Sequence, residues 1–400
     1  MPTWEFTAGD TSGGGTYGSN QTRFSGLAGR LGNQSGGEAA LQTKVFSTYT
    51  WANLYVRVKT DTFVGSPTVR SRVGAVNGNL LVTITGTGVF QDTVNTDSLV
   101  SGNLINYVVV TPNEVGQSTI FNMVGTTLQD TGTNATLAVA SAIAPSVAFG
   151  LVRFAAIGGI LGAASVLATT ETTTQYTMRR ATTFTNLRVT VVTNSIDAGT
   201  SVWLFRVDAA DGNQTVSIAF GATGAFEDTT NSDIVAAASE VNHQLTTSGA
   251  AGSLNPRLAQ VAHISTGREA VTYSNSPSAL GTDRYYGAEG DALTTVTESE
   301  SQIAARGAFT ASSLFVNVTT HGASSGVNIF LRVNGINSAL TVNVPASTTG
   351  LFEDTTNSVS VAATDTYNHF LDHGGGAGTI TVAIIGMAQG PTDAISGGGK

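Results

Sequence analysis

The sequence predicts an all-β protein of three tandem antiparallel β-sandwich modules of jelly-roll type, and three observations lead there. One block is written three times, as Gly88-Val89-Phe90-Gln91-Asp92-Thr93-Val94-Asn95-Thr96, Gly224-Ala225-Phe226-Glu227-Asp228-Thr229-Thr230-Asn231-Ser232 and Gly350-Leu351-Phe352-Glu353-Asp354-Thr355-Thr356-Asn357-Ser358. Self-similarity at a steady interval marks copies of one structural unit. Period-two runs rich in β-branched and aromatic residues recur, whereas no long stretch carries the helical period. Each copy holds about eight such runs joined by short connections, the strand count of a two-sheet jelly roll. A plain immunoglobulin-like sandwich, the main competitor, would lack the long opening segment that each copy carries.

Each copy opens on an Arg-aromatic pair, Arg23-Phe24, Arg153-Phe154 or Arg284-Tyr285, six residues before Gly29, Gly159 or Gly290. A Glu and a Gln four apart follow: Glu38 and Gln42, Glu171 and Gln175, Glu298 and Gln302. Twelve residues after each Gln a leucine, Leu54, Leu187 or Leu314, starts an alternating run. A second run covers Arg70 to Val73, Val202 to Val207 and Ile329 to Val333, and a third Leu81 to Ile84, Thr215 to Ile218 and Leu340 to Val344. Between them Asn77-Gly78, Asp211-Gly212 and Asn334-Gly335 tolerate positive φ and are expected to make the hairpin turns. Then comes the repeated block, whose Phe90, Phe226 or Phe352 is expected to fill the core near a turn. An Asn stands 14 positions after each block Asp, at Asn106, Asn242 and Asn368, and a last strand closes the copy. These landmarks place an N-terminal arm at 1–20, modules at 21–130, 147–266 and 283–390, and a tail at 391–400.

Composition narrows the function. Charged residues are 11% of the 400-residue chain, against about 25% in ordinary soluble domains. Lysine occurs only at Lys44, Lys59 and Lys400, so the residue that commonly protects exposed sheet edges is nearly missing, and the edges need another cover. A net charge of −9 without a basic cluster argues against nucleic acid as a partner. Cysteine is absent, which excludes disulfides, thiolate nucleophiles and Cys-based zinc sites. The start of the chain carries no secretory signal pattern. Leu151 to Ala168 is apolar enough to raise a membrane span, but Arg153 and its alignment with polar stretches of the other copies favour a buried or interface-facing strand pair.

Candidate sites are few. Asp92, Asn95 and Asp97, or Asp228, Asn231 and Asp233, could offer oxygens to calcium. Val359 breaks that pattern in the third copy and no Glu closes the loop, so an Asx-turn is the expected reading. His243 and His369 follow the repeated Asn where the first copy has Tyr107, so no chemistry requires imidazole there; His369 and His373 sit beside Gly374-Gly375-Gly376, which favours a hairpin loop over a metal clamp. No nucleophile elbow, phosphate loop or HExxH signature is present. Glu38 with Asp92 and their counterparts form the one repeated acidic pair, and Glu38, Glu171 and Glu298 are better read as structural, tied to the following Gln or to Arg neighbours such as Arg179 and Arg306. The expectation is no enzyme, no cofactor and no metal.

The block Gly-x-Phe-Glu-Asp-Thr-Thr-Asn-Ser, followed by Val-Ala-Ala and the later Asn, resembles modules of virion proteins of tailed bacteriophages, including cyanophages. In those families β-sandwich modules serve as capsid cement, head or tail decoration and fibre segments, often as trimers. The resemblance covers all three modules. Fibres also carry long shafts or coiled coils, which this chain lacks, so the resemblance implies a compact decoration protein in the virion, partnered by itself as a homotrimer and by proteins such as the major capsid protein, without membrane or nucleic acid. The alternatives are a tail fibre or receptor-binding spike that stacks sugars on Trp51, Trp203, Tyr285 or Tyr286, and a self-polymerising extracellular filament. Assembly contacts are expected where the copies differ most, in the glycine-rich arm at 1–20 and in Leu151 to Ala168.

Overall fold

The chain folds as three jelly rolls in sequence. The computed structural model describes residues 3–9, 15–31, 37–131, 135–141, 145–161, 167–264, 268–273, 280–288 and 294–391. Module 1 comprises β1 (Thr3–Gly9), β2 (Thr22–Ser25), β3 (Tyr49–Asp61), β4 (Thr68–Val73), β5 (Val76–Thr83), β6 (Gly88–Leu99), β7 (Leu104–Val110) and β8 (Ser118–Asp130). Module 2 repeats the set as β9 (Ala135–Ser141), β10 (Val152–Ala155), β11 (Thr182–Asn194), β12 (Thr200–Val207), β13 (Ala210–Ala219), β14 (Gly224–Val235), β15 (Glu240–Thr246) and β16 (Ser253–Ile264). Module 3 continues with β17 (Arg268–Tyr273), β18 (Arg284–Tyr286), β19 (Phe309–His321), β20 (Val327–Val333), β21 (Ile336–Val344), β22 (Gly350–Val361), β23 (Thr366–Asp372) and β24 (Ile380–Pro391).

In module 1 one sheet runs β1-β8-β3-β6 and the other β2-β7-β4-β5, and both other modules repeat this order. Consecutive strands alternate between the sheets everywhere except the β4–β5 hairpin and its two counterparts, which is jelly-roll winding and excludes the immunoglobulin-like order. The main pairings are antiparallel, as expected, but Gly29–Arg30 pairs parallel with β1 and Gly159–Ile160 parallel with β9. Alternation drives the layering: in β3, Leu54, Val56 and Val58 are buried, and Leu187, Val189 and Val191 in β11 match them.

Two expectations need correction, the arm and the turns, and one is met. Residues 1–20 were expected to be an arm ordered on a neighbour; instead β1 pairs with β8 in register from Thr3 with Gln129 to Gly9 with Met123, and Trp4, Phe6 and Ala8 are buried in the core. Each module therefore begins with a strand upstream of its Arg-aromatic pair, and the residues of the expected arm and tail at 1–2, 10–14 and 392–400 lie outside the described residues. The hairpin turns fall three residues earlier than expected in two copies, at Gly74-Ala75 (φ +56° and +66°) and Asp208-Ala209 (φ +51° and +60°), while Asn334-Gly335 turns as expected (φ +52° and +75°). The apolar stretch at 151–168 forms β10 and the short strand Gly159–Ile160, with Ala155, Ile157, Leu161 and Leu167 in the core; residues 162–166 lie outside the described residues. No helix among the described residues is long and apolar enough to cross a membrane.

The cores are not separate. Buried residues of module 1 run on into Leu137, Val139, Leu258 and Ala262 of module 2. Those of module 2 run on into Phe315, Ala383 and Ile384 of module 3, and those of module 3 into Tyr55 and Met123 of module 1. Apolar packing thus passes from each module to the next and returns to the first, so the three jelly rolls close as a ring.

Candidate functional site

The repeated block builds a clamp on the open side of each sandwich. Opposite β3, Ala52 faces Thr96 and Leu54 faces Asp92, so three residues of β6 bulge against Asn53 alone. Asn53 takes the left-handed conformation at φ +57°, as do Asn186 at φ +57° and Ser313 at φ +53°. A bulge frees backbone N–H groups, and the Asp collects them. The Asp92 carboxylate accepts from the backbone of Val94 (3.1 Å) and Asn95 (3.0 Å) and from Asn95 Nδ2 (2.9 Å). It also accepts from Leu81 N (2.9 Å) on β5, the edge strand of the other sheet. Asp228 repeats this with Thr215, Thr230 and Asn231, and Asp354 with Thr341, Thr356 and Asn357.

One side chain therefore joins the two sheet edges, answering the shortage of lysines: the free N–H groups of β5 are capped by carboxylates. Asp97 adds a second cap on Asn79 N (2.7 Å), and Asp233 one on Asn213 N (2.6 Å). Where Val359 replaces the acid, Ser338 Oγ takes Leu340 N instead (3.2 Å). These oxygens receive N–H donors, and Asn95 and Asn231 turn their Nδ2 donors toward the acid. That is an Asx-turn arrangement, opposite to what a calcium ion needs. Among the described residues no group of three or more His, Asp or Glu is placed to hold a metal. Burial alone would raise the acids' pKa, but the converging donors outweigh it and hold Asp228 and Asp354 down to about 2, with Asp92 lowered in the same sense. Phe90, Phe226 and Phe352 are half-buried and pack against the core rather than filling it.

The other repeated residues brace the β4–β5 hairpin turn and its counterparts. Glu38 pairs with Arg72 (2.8 Å), Glu171 with Arg206 (2.6 Å) and Glu298 with Arg332 (2.7 Å). The expected partners Arg179 and Arg306 are used elsewhere. Asn77, Asp211 and Asn337 hold the outer edge of the same guanidinium groups, which explains their presence just after the turns. Asn242 Nδ2 donates to Thr174 Oγ1 and Asn368 Nδ2 to Ser301 Oγ, both at 2.9 Å, tying the opening segment to β15 and β23. Leu41 stands at that position in module 1, and Asn106 donates to Tyr107 O at 3.3 Å.

Between modules the same positions meet three times with different chemistry. At the seam of modules 1 and 2, Glu227 takes Lys44 and the buried Arg188 (3.0 Å). Arg188 Nη1 also donates to Gln42 O (2.7 Å), and the Gln260 amide pairs with both backbone groups of Lys44 (2.9 and 2.8 Å). At the seam of modules 2 and 3, Arg179 pairs with Glu353 and lies 4.4 Å over the Phe315 ring, which Tyr176 meets edge-on at 4.9 Å. At the seam of modules 3 and 1, Arg306 bonds Gln91 and lies 4.2 Å over Tyr55. There the buried Glu5 accepts from Arg306 N, from Gly307 N (3.1 Å) and from Tyr367 OH (3.0 Å); its burial pushes its pKa up despite these donors.

Gln91, Glu227 and Glu353 are one repeat position, and Tyr55, Arg188 and Phe315 another. Contacts that lead from 1 to 2, 2 to 3 and 3 to 1 through equivalent positions are head-to-tail and closed, as in a cyclic trimer. Near the middle, Gly159–Ile160 lies against Gly29–Arg30 of module 1 and against β17 of module 3. Gly29 has φ +91°, and a Cβ there would strike Ser141, whose Oγ donates to Ala28 O at 2.7 Å. Both segments expected to carry assembly contacts, β1 and the 151–168 stretch, make contacts between modules of one chain.

The remaining candidates are core residues. His243 and His369 are fully buried, with neither ring nitrogen bonded among the described residues, and burial lowers both pKa values to about 3. Trp51, Trp203 and Tyr286 are buried, and Tyr285 stacks on Phe370 at 4.8 Å, so none of these four is a free platform for a sugar ring. The seams are what sequence reasoning missed. The signal available was the placement of scarce charges and aromatics at matching repeat positions: Phe46, Arg179 and Arg306 on one side, Tyr55, Arg188 and Phe315 on the other.

The chain matches no protein-family model and no curated protein. Among solved structures it is similar to one described as "The Triple Jelly Roll Fold and Turret Assembly in an Archaeal Virus", at 10% identity over 96% of each chain and a TM-score of 0.20. The fold assignment rests on the strand order of this chain.

Proposed function

We propose that the chain is a non-enzymatic structural protein of a virion, a capsid cement or decoration protein of a tailed bacteriophage that stabilises the particle through its module faces. The observation that carries the reading is the closed ring: three jelly rolls joined through continuous cores and three sets of inter-module contacts. Its repeated polar residues serve as clamps and braces, and the low-charge surface suits burial against neighbours. The three modules of one chain already form a three-fold set. In this reading the working unit is one chain seated on a three-fold or quasi-three-fold site formed by copies of a shell protein such as the major capsid protein. Mass spectrometry of purified virions tests the location, and absence of the protein from them removes the reading. Adding the purified chain to particles stripped of it is expected to raise their heat resistance; unchanged resistance contradicts the cement role.

A further inference from the structure

The seam of modules 2 and 3 holds a groove at the positions where its counterpart carries an ion pair. At the seam of modules 3 and 1, Lys59 reaches Glu300 at 3.0 Å. The repeat equivalents at the seam of modules 2 and 3 are Thr319 and Thr173. Two short hydroxyl side chains replace the ion pair, and both line an open groove of about 460 Å³. Its walls carry Gln175, Glu240 and Asn317 among further threonines, with the exposed Leu351 as an apolar edge. Gln175 is only 6% exposed, yet its side-chain amide makes no hydrogen bond to any described residue. The Glu240 carboxylate likewise accepts none from them. Asn317 donates to Thr172 O at 2.9 Å, a bond that leaves its side-chain carbonyl for a ligand.

We propose that this groove binds a neutral saccharide. Amide and carboxylate groups beside hydroxyls match the paired donors and acceptors of adjacent sugar hydroxyls, and the exposed Leu351 offers a surface to a sugar's C–H face. The size falls within the range of small-ligand clefts, about 300–1,000 Å³. No cationic side chain lines the groove and Glu240 faces it, so phosphates, uronates and sialylated glycans are disfavoured. The site is independent of the buried tryptophans and of the structural role proposed above.

The test is saturation-transfer NMR on the full chain with free glucose, galactose, mannose, rhamnose and N-acetylglucosamine, and with glucuronate as the anionic control. The double variant T173E/T319K transplants the ion pair of the other seam into the groove, and L351R blocks its mouth from an exposed position. Transfer to at least one neutral sugar is expected, with none to glucuronate and a loss of about tenfold or more in affinity in either variant. Silence from every neutral sugar, equal transfer to glucuronate, or transfer that survives L351R overturns the proposal. L351R decides the outcome even where the double variant fails to fold.

Discussion

The clamps within the modules and the seams between them are built on opposite plans. Asp92, Asp228 and Asp354 accept the same backbone bonds three times with nearly the same distances. The seams keep one layout and vary its chemistry: Glu227 held by a buried Arg and by Lys44, then an Arg stacked on Phe315 beside Tyr176, then an Arg stacked on Tyr55 beside a buried carboxylate that faces two backbone N–H groups. The clamp answers a local demand, the backbone N–H groups freed by the bulge, and the Asp and Asn that meet it are the same in all three copies. A seam needs only that two facing surfaces fit. The charged groups found at one seam alone, Lys44 on Glu227 and Glu5 on Arg306 N, favour the observed neighbours over mismatched ones. Ring order is thereby written into the chain.

The largest effect expected from breaking this contrast is at Arg188. Arg188→Ala removes the cation that Glu227, Gln42 and Gln260 share in a buried seam, and a loss of about 3–5 kcal/mol is expected in denaturant unfolding. A loss below about 1 kcal/mol would mean the seam adds little to the ring. Next, Asp92→Ala, Asp228→Ala and Asp354→Ala should each cost about 2–3 kcal/mol, because each leaves the same backbone donors unpaired. Costs that differ widely among the three would end the claim that the clamps are equivalent.

Acid separates what the copies share from what they do not. His243 and His369 are held neutral, with pKa lowered from 6.5 to about 3. The unfolded chain therefore binds more protons between those values, and stability falls as pH drops below 6.5, by up to about 1.4 kcal/mol per pH unit for each histidine. Module 1 has Tyr107 there, its hydroxyl bonded to Thr126 Oγ1 at 2.7 Å, and lacks this sensitivity. The clamps titrate lower: the stability from Asp228 and Asp354 is present above their ordinary 3.8 and is lost as pH falls toward 2. Thermal melts from pH 7 to 4 should show modules 2 and 3 weakening first. A flat profile over that range would contradict the buried neutral imidazoles. The smallest effect is expected for Glu353→Gln, since Glu353 is 43% exposed; the change should cost less than about 1 kcal/mol.

Much of the fold was legible in the sequence because jelly-roll strands obey a local rule, alternation, and because the repeat aligned three independent readings of each element. The clamp was legible for the same reason: Asp and Asn three apart form a local turn wherever they occur. The first strand of each module escaped because Trp4-Glu5-Phe6, Leu137-Ala138-Val139 and Ala270-Val271-Thr272 hold the same place in the sheet but share few residues. The turns were misplaced because Asn77 and Asp211 suit a turn, whereas their side chains serve Arg72 and Arg206. The seams were hidden for a different reason. Lys44 and Glu227 are 183 residues apart, and nothing local in either segment names its partner.

The ring can be tested without changing a residue. Of the three lysines, Lys44 bonds Glu227 of module 2 and Lys59 bonds Glu300 of module 3, so carbodiimide coupling should join module 1 to both neighbours. Peptide mapping is expected to find both the Lys44–Glu227 and the Lys59–Glu300 links in protein of single-chain mass. Links that appear only in covalent multimers, or only one of the two, would show that the modules do not close on themselves within one chain.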